Sequence, residues 1–294
     1  AYCTLPTSQQ VILPQKCHPN DRSLELSSRE KLRQQGHAPL KDVPVHAWAP
    51  YWVLSDAAAS VGAHGSALTS VSPFWYQLDD TGTVVPTPHL VESQSQAMTT
   101  ASSAAHLELI PTVSDTLPAG ALAGILADTE RSQRLVDALS SIANANAGVD
   151  LDFEQFAFAD DSSTWETTRP LWISFLSRLS TSVHAKGRLL TVTAPPMYDT
   201  NRTADSGAWV YDYAAMEPLV DQIRVMAYDY SVTKPGPIAP LVWTRKVASA
   251  AASLVKDPTK IVLGVPLYGR NWGADGDYKF LHFEACYYKA IDFA

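Results

Sequence analysis

The sequence predicts an α/β chain folded as a (β/α)8 TIM barrel in which the eighth strand is not recognisable. Three observations carry that expectation. Seven short runs rich in β-branched and aromatic residues recur at Val45–Trp52, Leu68–Leu78, Leu107–Val113, Gly148–Phe153, Leu189–Ala194, Gln222–Tyr228 and Lys260–Tyr268. Their starts are spaced by roughly 25 to 40 residues, the size of a strand–helix unit, and the segments between them have helical spacing. The third observation separates two parallel architectures. A doubly wound nucleotide-binding sheet needs a glycine-rich turn after its first strand, so that backbone can approach a pyrophosphate. Here "HAWAPYWVL" runs into "SDAAASVG", with no Gly-x-Gly-x-x-Gly, and no Gly-x-x-x-x-Gly-Lys-Ser/Thr occurs in the chain. The barrel is favoured, and a barrel keeps its active site at the C-terminal ends of its strands.

The elements follow in chain order. Residues 1–43 carry Pro6, Pro14, Pro19 and Pro39 and no sustained apolar alternation. They read as an N-terminal extension with one short helix near Leu24–Gln35. The barrel is expected over 44–294. Leu122, Ile125, Leu126, Leu135, Leu139 and Ile142 are spaced for one or two amphipathic helices. Trp172, Phe175, Leu176, Leu179 and Val183 mark another, with Thr164 as its expected cap ahead of Glu166 and Thr167. Val247, Ala251 and Leu254 mark one more. Only 22 residues follow Trp272, and 273–294 are atypical of a closing strand–helix unit.

Composition narrows the partners. The chain has 294 residues, 46% hydrophobic and 18% charged, with a net charge of -8 and a pI near 5.4. A chain of this length buries roughly three quarters of its unfolded surface. The acidic balance disfavours nucleic acid and anionic membranes and suits a neutral ligand better. The longest apolar run, Ala119–Ala127, contains two glycines and is far shorter than the roughly 20 residues of a membrane span. The first residue is Ala1 rather than Met, read as a mature form after signal removal, so the expected location is secreted or cell-wall associated. Cys3 and Cys17 flank a proline-containing stretch and would form a local disulfide in an exported protein, two free thiols being the alternative. The cysteines lack zinc-site spacing and the eight histidines form no His-x-x-x-His pair, so neither metal nor cofactor is expected.

One stretch breaks the apolar pattern. "AGVDLDFE" (147–154) places Asp150, Asp152 and Glu154 at alternate positions, with Leu151 and Phe153 between them. Like-facing residues on a strand lie about 6.6–6.8 Å apart. The acids therefore share one face, and Val149, Leu151 and Phe153 the other. In a barrel the apolar face meets the helix ring and the acids enter the lumen. A solvated acidic face on an edge strand is the plainer alternative. Three interior acids cannot all ionise cheaply, so at least one pKa should rise and the set should titrate together. A raised carboxyl is what a general acid needs near neutral pH.

"GVDLDFE" resembles the Asp-x-x-Asp-x-Asp-x-Glu signature of glycoside hydrolase family 18, the chitinase-like barrels. "RVMAYDYS" (224–231) is similar to that family's sixth-strand Met-x-Tyr-Asp motif, "IVLGVPLYGRNW" (261–272) to its seventh strand and "SPFWY" (72–76) to its second. "KPGPIAPLVW" (234–243) resembles a loop of the bacterial branch that includes spore-cortex and peptidoglycan N-acetylglucosaminidases. The resemblance covers 44–272 and departs at Ala147, where the family usually has Asp, and at the missing eighth strand.

The resemblance implies hydrolysis of β-1,4 bonds next to N-acetylglucosamine, in chitin oligomers or peptidoglycan, with the substrate's own acetamido group as nucleophile. It implies that Glu154 protonates the glycosidic oxygen and later activates water. Asp152 would polarise the acetamido group, and Asp150 would share a proton with Asp152. Tyr228 would hydrogen-bond the acetamido oxygen, and Asp229 would support the distorted sugar. Met226 would serve as floor packing, and Arg270 would either bind a sugar hydroxyl or pair with an acid. Aromatic rings suit the flat C–H faces of sugars. Of those near strand ends, Trp52, Tyr76, Tyr198 and Trp243 are the candidate platforms. The rival reading is a non-catalytic, lectin-like N-acetylglucosamine-binding protein on the same barrel.

Overall fold

Strand order in the main sheet follows chain order. The computed structural model describes residues 43–88, 90–272 and 278–282. The N-terminal extension, its expected short helix and the Cys3–Cys17 pair lie outside the described residues, as does most of 273–294. The strands are β1 (His46–Ala49), β2 (Ser70–Leu78), β3 (Val84–Pro86), β4 (Glu108–Leu109), β5 (Thr112–Ser114), β6 (Gly148–Asp152), β7 (Leu189–Ala194), β8 (Gln222–Val225) and β9 (Ile261–Leu263). They pair in the order β1-β2-β5-β6-β7-β8-β9, all parallel, with β3 antiparallel and β4 parallel on β2. A doubly wound sheet reverses its order at a switch point. This path never reverses, which is the winding of a barrel. Among the described residues β1 and β9 end the sheet.

The helices are α1 (Leu54–His64), α2 (Glu92–Ala104), α3 (Ala121–Ala127), α4 (Thr129–Ala145), α5 (Gln155–Phe158), α6 (Trp165–His184), α7 (Tyr213–Met216) and α8 (Leu241–Leu254). The Leu122–Ile142 pattern is two helices because Asp128 intervenes and caps the second, its side chain accepting the Arg131 N–H at 2.9 Å. The expected Thr164 cap is not formed. Thr164 has helical backbone angles, its hydroxyl donates to the Asp161 carbonyl, and Asp161 caps the preceding 3-10 turn instead.

Alternation divides each strand as the pleat requires. On β6, Val149 and Leu151 are fully buried in the main hydrophobic core, which includes Leu139 of α4 and Trp172 and Phe175 of α6. Trp172 lies 5.5 Å from Phe156, 5.8 Å from Phe175 and 6.2 Å from Phe153, ring centre to ring centre. The other face is polar, and its side chains meet across strands that are not neighbours. Arg224 of β8 reaches Ser72 of β2 at 2.6 Å, and Gln222 of β8 lies 3.2 Å from His46 of β1. Such contacts require the sheet to curl about its polar face. Gly148 opens β6 because a Cβ there would lie 2.3 Å from the Leu189 carbonyl oxygen of β7.

The seventh expected strand, Lys260–Tyr268, ends early. β9 stops at Leu263, before Gly264 and Pro266, and proline cannot donate to a ladder. Likewise β8 stops at Val225, short of Tyr228. The chain divides into two compact units, one of 44–227 with 242–264, the other holding 228–241 and the residues from 265 on. Within the second unit β10 (Tyr268–Trp272) and β11 (Tyr278–His282) form an antiparallel hairpin. Sequence reading anticipated neither that hairpin nor β3.

Candidate active site

The three acids occupy the C-terminal half of β6 and the turn that follows it. Asp150 is wholly buried. It accepts hydrogen bonds from Thr191 (2.6 Å), Thr112 (3.0 Å), Thr193 (3.1 Å) and the Trp48 indole (3.3 Å), and an Arg224 nitrogen stands 3.6 Å away. Register explains the convergence: Thr112, Asp150 and Thr191 pair across β5, β6 and β7. Asp152, one pleat further along, is 5% exposed, and its Oδ1 has no hydrogen-bond partner. Burial, above all, pushes its carboxyl well up, with the charges of Glu154, Asp150 and Asp115 adding to the effect. The rise expected from three interior acids is therefore present, and it falls on the middle one.

Glu154 lies past the strand end, half-buried, with helical angles (φ -100°, ψ -15°) at the start of α5. Its main-chain N–H donates to Asp115 Oδ1 at 2.7 Å. Asp115, missed in sequence reading, follows β5 directly and is 5% exposed. Burial raises its carboxyl to about 6, against the opposing pull of the Glu154 and Gln155 N–H groups. The signal was available: Asp115 stands just beyond a strand end, where barrels gather their chemistry. Tyr211 was also missed. Its hydroxyl donates to the Phe153 carbonyl, and burial holds the phenol in its protonated form.

The expected sugar platforms are spread along this rim. Tyr198, beyond β7, meets Trp243 of α8 edge to face at 6.5 Å, and the Lys246 ammonium lies 5.2 Å from its ring centre. Met226, just past β8, is 8% exposed, and its N–H donates to the Ala194 carbonyl. Tyr76 is half-buried against apolar neighbours, following a β-bulge at Phe74–Tyr76. Trp52 is 59% exposed on a 3-10 turn after β1.

Tyr228, Asp229 and Arg270 belong to the second unit. There Arg270 makes a two-pronged pair with Asp229, at 2.8 and 3.2 Å. Asp229 has φ +57°, and the Tyr228 ring lies 6.0 Å from that of Tyr268. Among the described residues no group of three His, Cys, Asp or Glu side chains is arranged to hold a metal ion.

A parallel barrel-wound sheet with a buried row of acids at the C-terminal strand ends defines the class of protein. Residues 64–289 match the family described as glycosyl hydrolases family 18, and the chain belongs to that family. It is 35% identical over 129 residues to YdhD of Bacillus subtilis (strain 168), named as a sporulation-specific glycosylase, covering 42% of this chain and 27% of that one. The chain thus spans about a quarter of that relative's length. Among solved structures it is similar to a class V chitinase from Pseudomonas fluorescens Pf-5, with a TM-score of 0.68, 25% identity, and 82% and 73% of the two chains covered. The spore cortex-lytic enzyme SleL of Bacillus megaterium QM B1551 shares the fold, with a TM-score of 0.66, 16% identity, and 84% and 57% covered.

Proposed function

We propose that this chain is a glycosidase that cleaves β-1,4 bonds next to N-acetylglucosamine by substrate-assisted, retaining catalysis. The observation that carries the reading is Asp152: a buried carboxyl pushed well up, one oxygen without a hydrogen-bond partner, between a fully bonded Asp150 and the half-buried Glu154. Glu154 donates a proton to the leaving oxygen and then activates water. Asp152 orients the acetamido group, its unpartnered buried oxygen accepting from the acetamido N–H as the acetamido oxygen attacks the anomeric carbon. Asp150 accepts a share of the Asp152 proton. Tyr198 with Trp243 offers an aromatic surface to a neighbouring sugar. The name of YdhD, a sporulation-specific glycosylase, favours peptidoglycan over chitin as substrate, and a secreted or wall-associated location is proposed with it.

The test compares wild type with Glu154→Gln on chitooligosaccharides and on purified peptidoglycan. Loss of a general acid should lower kcat by about 10²–10⁴-fold with the fold intact. Equal rates would refute the reading, and wild-type binding to N-acetylglucosamine oligomers without turnover would assign the lectin-like alternative.

A further inference from the structure

Arg224 takes part in none of the steps above, yet it is 1% exposed in the barrel interior. One of its terminal nitrogens bonds Ser72 at 2.6 Å and lies 3.6 Å from Asp150. Its Nε bonds Gln222 at 3.0 Å, its other terminal nitrogen is buried without a partner, and its guanidinium stands 5.9 Å from the Trp48 ring centre. A guanidinium cannot release its proton in a protein and can only donate. We propose that Arg224 is a positioning residue: its fixed positive charge under Asp150 keeps Asp150 as the acceptor, so that of the two buried carboxyls Asp152 is the one that holds a proton.

The geometry separates the two carboxyls. Asp150 is met by Arg224, the Trp48 indole and three threonine hydroxyls; the indole and the guanidinium can only donate, so Asp150 must accept. Asp152 has an unpartnered buried oxygen and carboxyls on either side. Among the described residues the other charged or titratable groups facing this pair are few. His46 of β1 bonds Ser70 and Gln222, and burial with Arg224 nearby depresses it to about 4, so it is neutral at working pH. Glu108 of β4 acts on Arg224 from the lower end of the sheet. Asp115 beyond β5, Glu154 and Tyr211 lie on the Asp152 side. Arg224 is thus the cation set against Asp150, and the gradient of charge along the lumen points the proton toward the substrate face. The consequence for turnover rests on the glycosidase reading, whereas the location of the proton does not.

The test is a carboxyl-carbon NMR titration of the full chain with ¹³C-labelled aspartate, assigned with Asp150→Asn and Asp152→Asn. In wild type the signal of Asp152 should keep its proton to higher pH than that of Asp150, as apparent midpoints of a coupled pair. Arg224→Met, which keeps length and removes charge, should weaken the preference for Asp152, so that the labelled Asp152 signal loses its proton over part of the range in which wild type holds it, and Arg224→Lys should restore most of that range. On peptidoglycan the acid limb of kcat/KM should move up with Arg224→Met, with kcat falling more than KM changes. The inference is overturned if Asp150 titrates above Asp152 in wild type, or if Arg224→Met leaves both midpoints in place. The titration needs no turnover, so an inactive wild type counts against the glycosidase reading alone. The wild-type order of titration still decides the matter if Arg224→Met fails to fold.

Discussion

Asp115 shows how one side chain can couple stability to the site. Its carboxyl is raised to about 6, so between its ordinary value near 4 and pH 6 the folded chain holds a proton that the unfolded chain has lost. That contribution to stability is complete below the ordinary value and is lost as pH rises through about 6. Asn at this position keeps an acceptor for the Glu154 N–H and cannot ionise. Asp115→Asn should therefore be more stable than wild type by about 1–3 kcal/mol at pH 8 and nearly equal at pH 4, by urea unfolding at the two values. His46 works in the opposite sense. Its imidazole is depressed to about 4, so stability is full above its ordinary value of 6.5 and falls as pH drops toward 4. Because both titrations are present in wild type, only the difference between variant and wild type isolates Asp115.

At the scale of elements, β6 is held from two sides. Gly148 lets it approach β7 closely, and Gly148→Ala must part the two backbones, since the obstructing atom is the Leu189 carbonyl oxygen. The cost should be about 1–3 kcal/mol in urea unfolding. On the outer face Trp172 of α6 is fully buried against Phe153 and Phe156, which flank Glu154 in the chain. Trp172→Ala should destabilise by about 3–5 kcal/mol. It should also lower kcat, because the turn carrying Glu154 loses its support. A Trp172→Phe variant should retain most of both, and equal losses in the two variants would show that ring packing is not the cause.

At the scale of the whole molecule, the net charge of -8 bears on substrate choice. Peptidoglycan with free peptide carboxyls is anionic, and an acidic protein is repelled from it at low salt. Raising ionic strength from about 10 to 150 mM shortens the screening length from roughly 30 to 8 Å. Turnover of peptidoglycan should rise over that interval, while turnover of neutral chitooligosaccharides should stay level. The polar lumen supplies the other property of this scale. Arg224, Ser72, Asp150, Gln222 and His46 come from β1, β2, β6 and β8, so the interior network ties together strands far apart in the chain.

The alternation of Asp150 and Asp152 with Val149 and Leu151 was legible in the sequence, because a strand's pleat maps period two directly onto two faces, whereas Phe153 and Glu154, read as part of the same strand, lie past its end in the turn that opens α5. The parallel α/β class was legible for a similar reason: strand-length apolar runs separated by helix-length segments leave few topologies open. Element ends were not. Thr164 against Asp161 as the cap, and Leu263 against Tyr268 as a strand end, turn on local hydrogen bonds and a proline that hydrophobic periodicity does not register. The sequence by itself thus determined that Asp150 and Asp152 share one face of one strand, with Glu154 next in line. Only the tertiary structure decided that Asp150 is saturated with donors, that Asp152 carries the raised carboxyl, and that Asp115 and Arg224 belong with them. The physical reason is that a side chain's charge state depends on its burial and on neighbours from other strands, at separations of 35 residues and more, which no local pattern encodes.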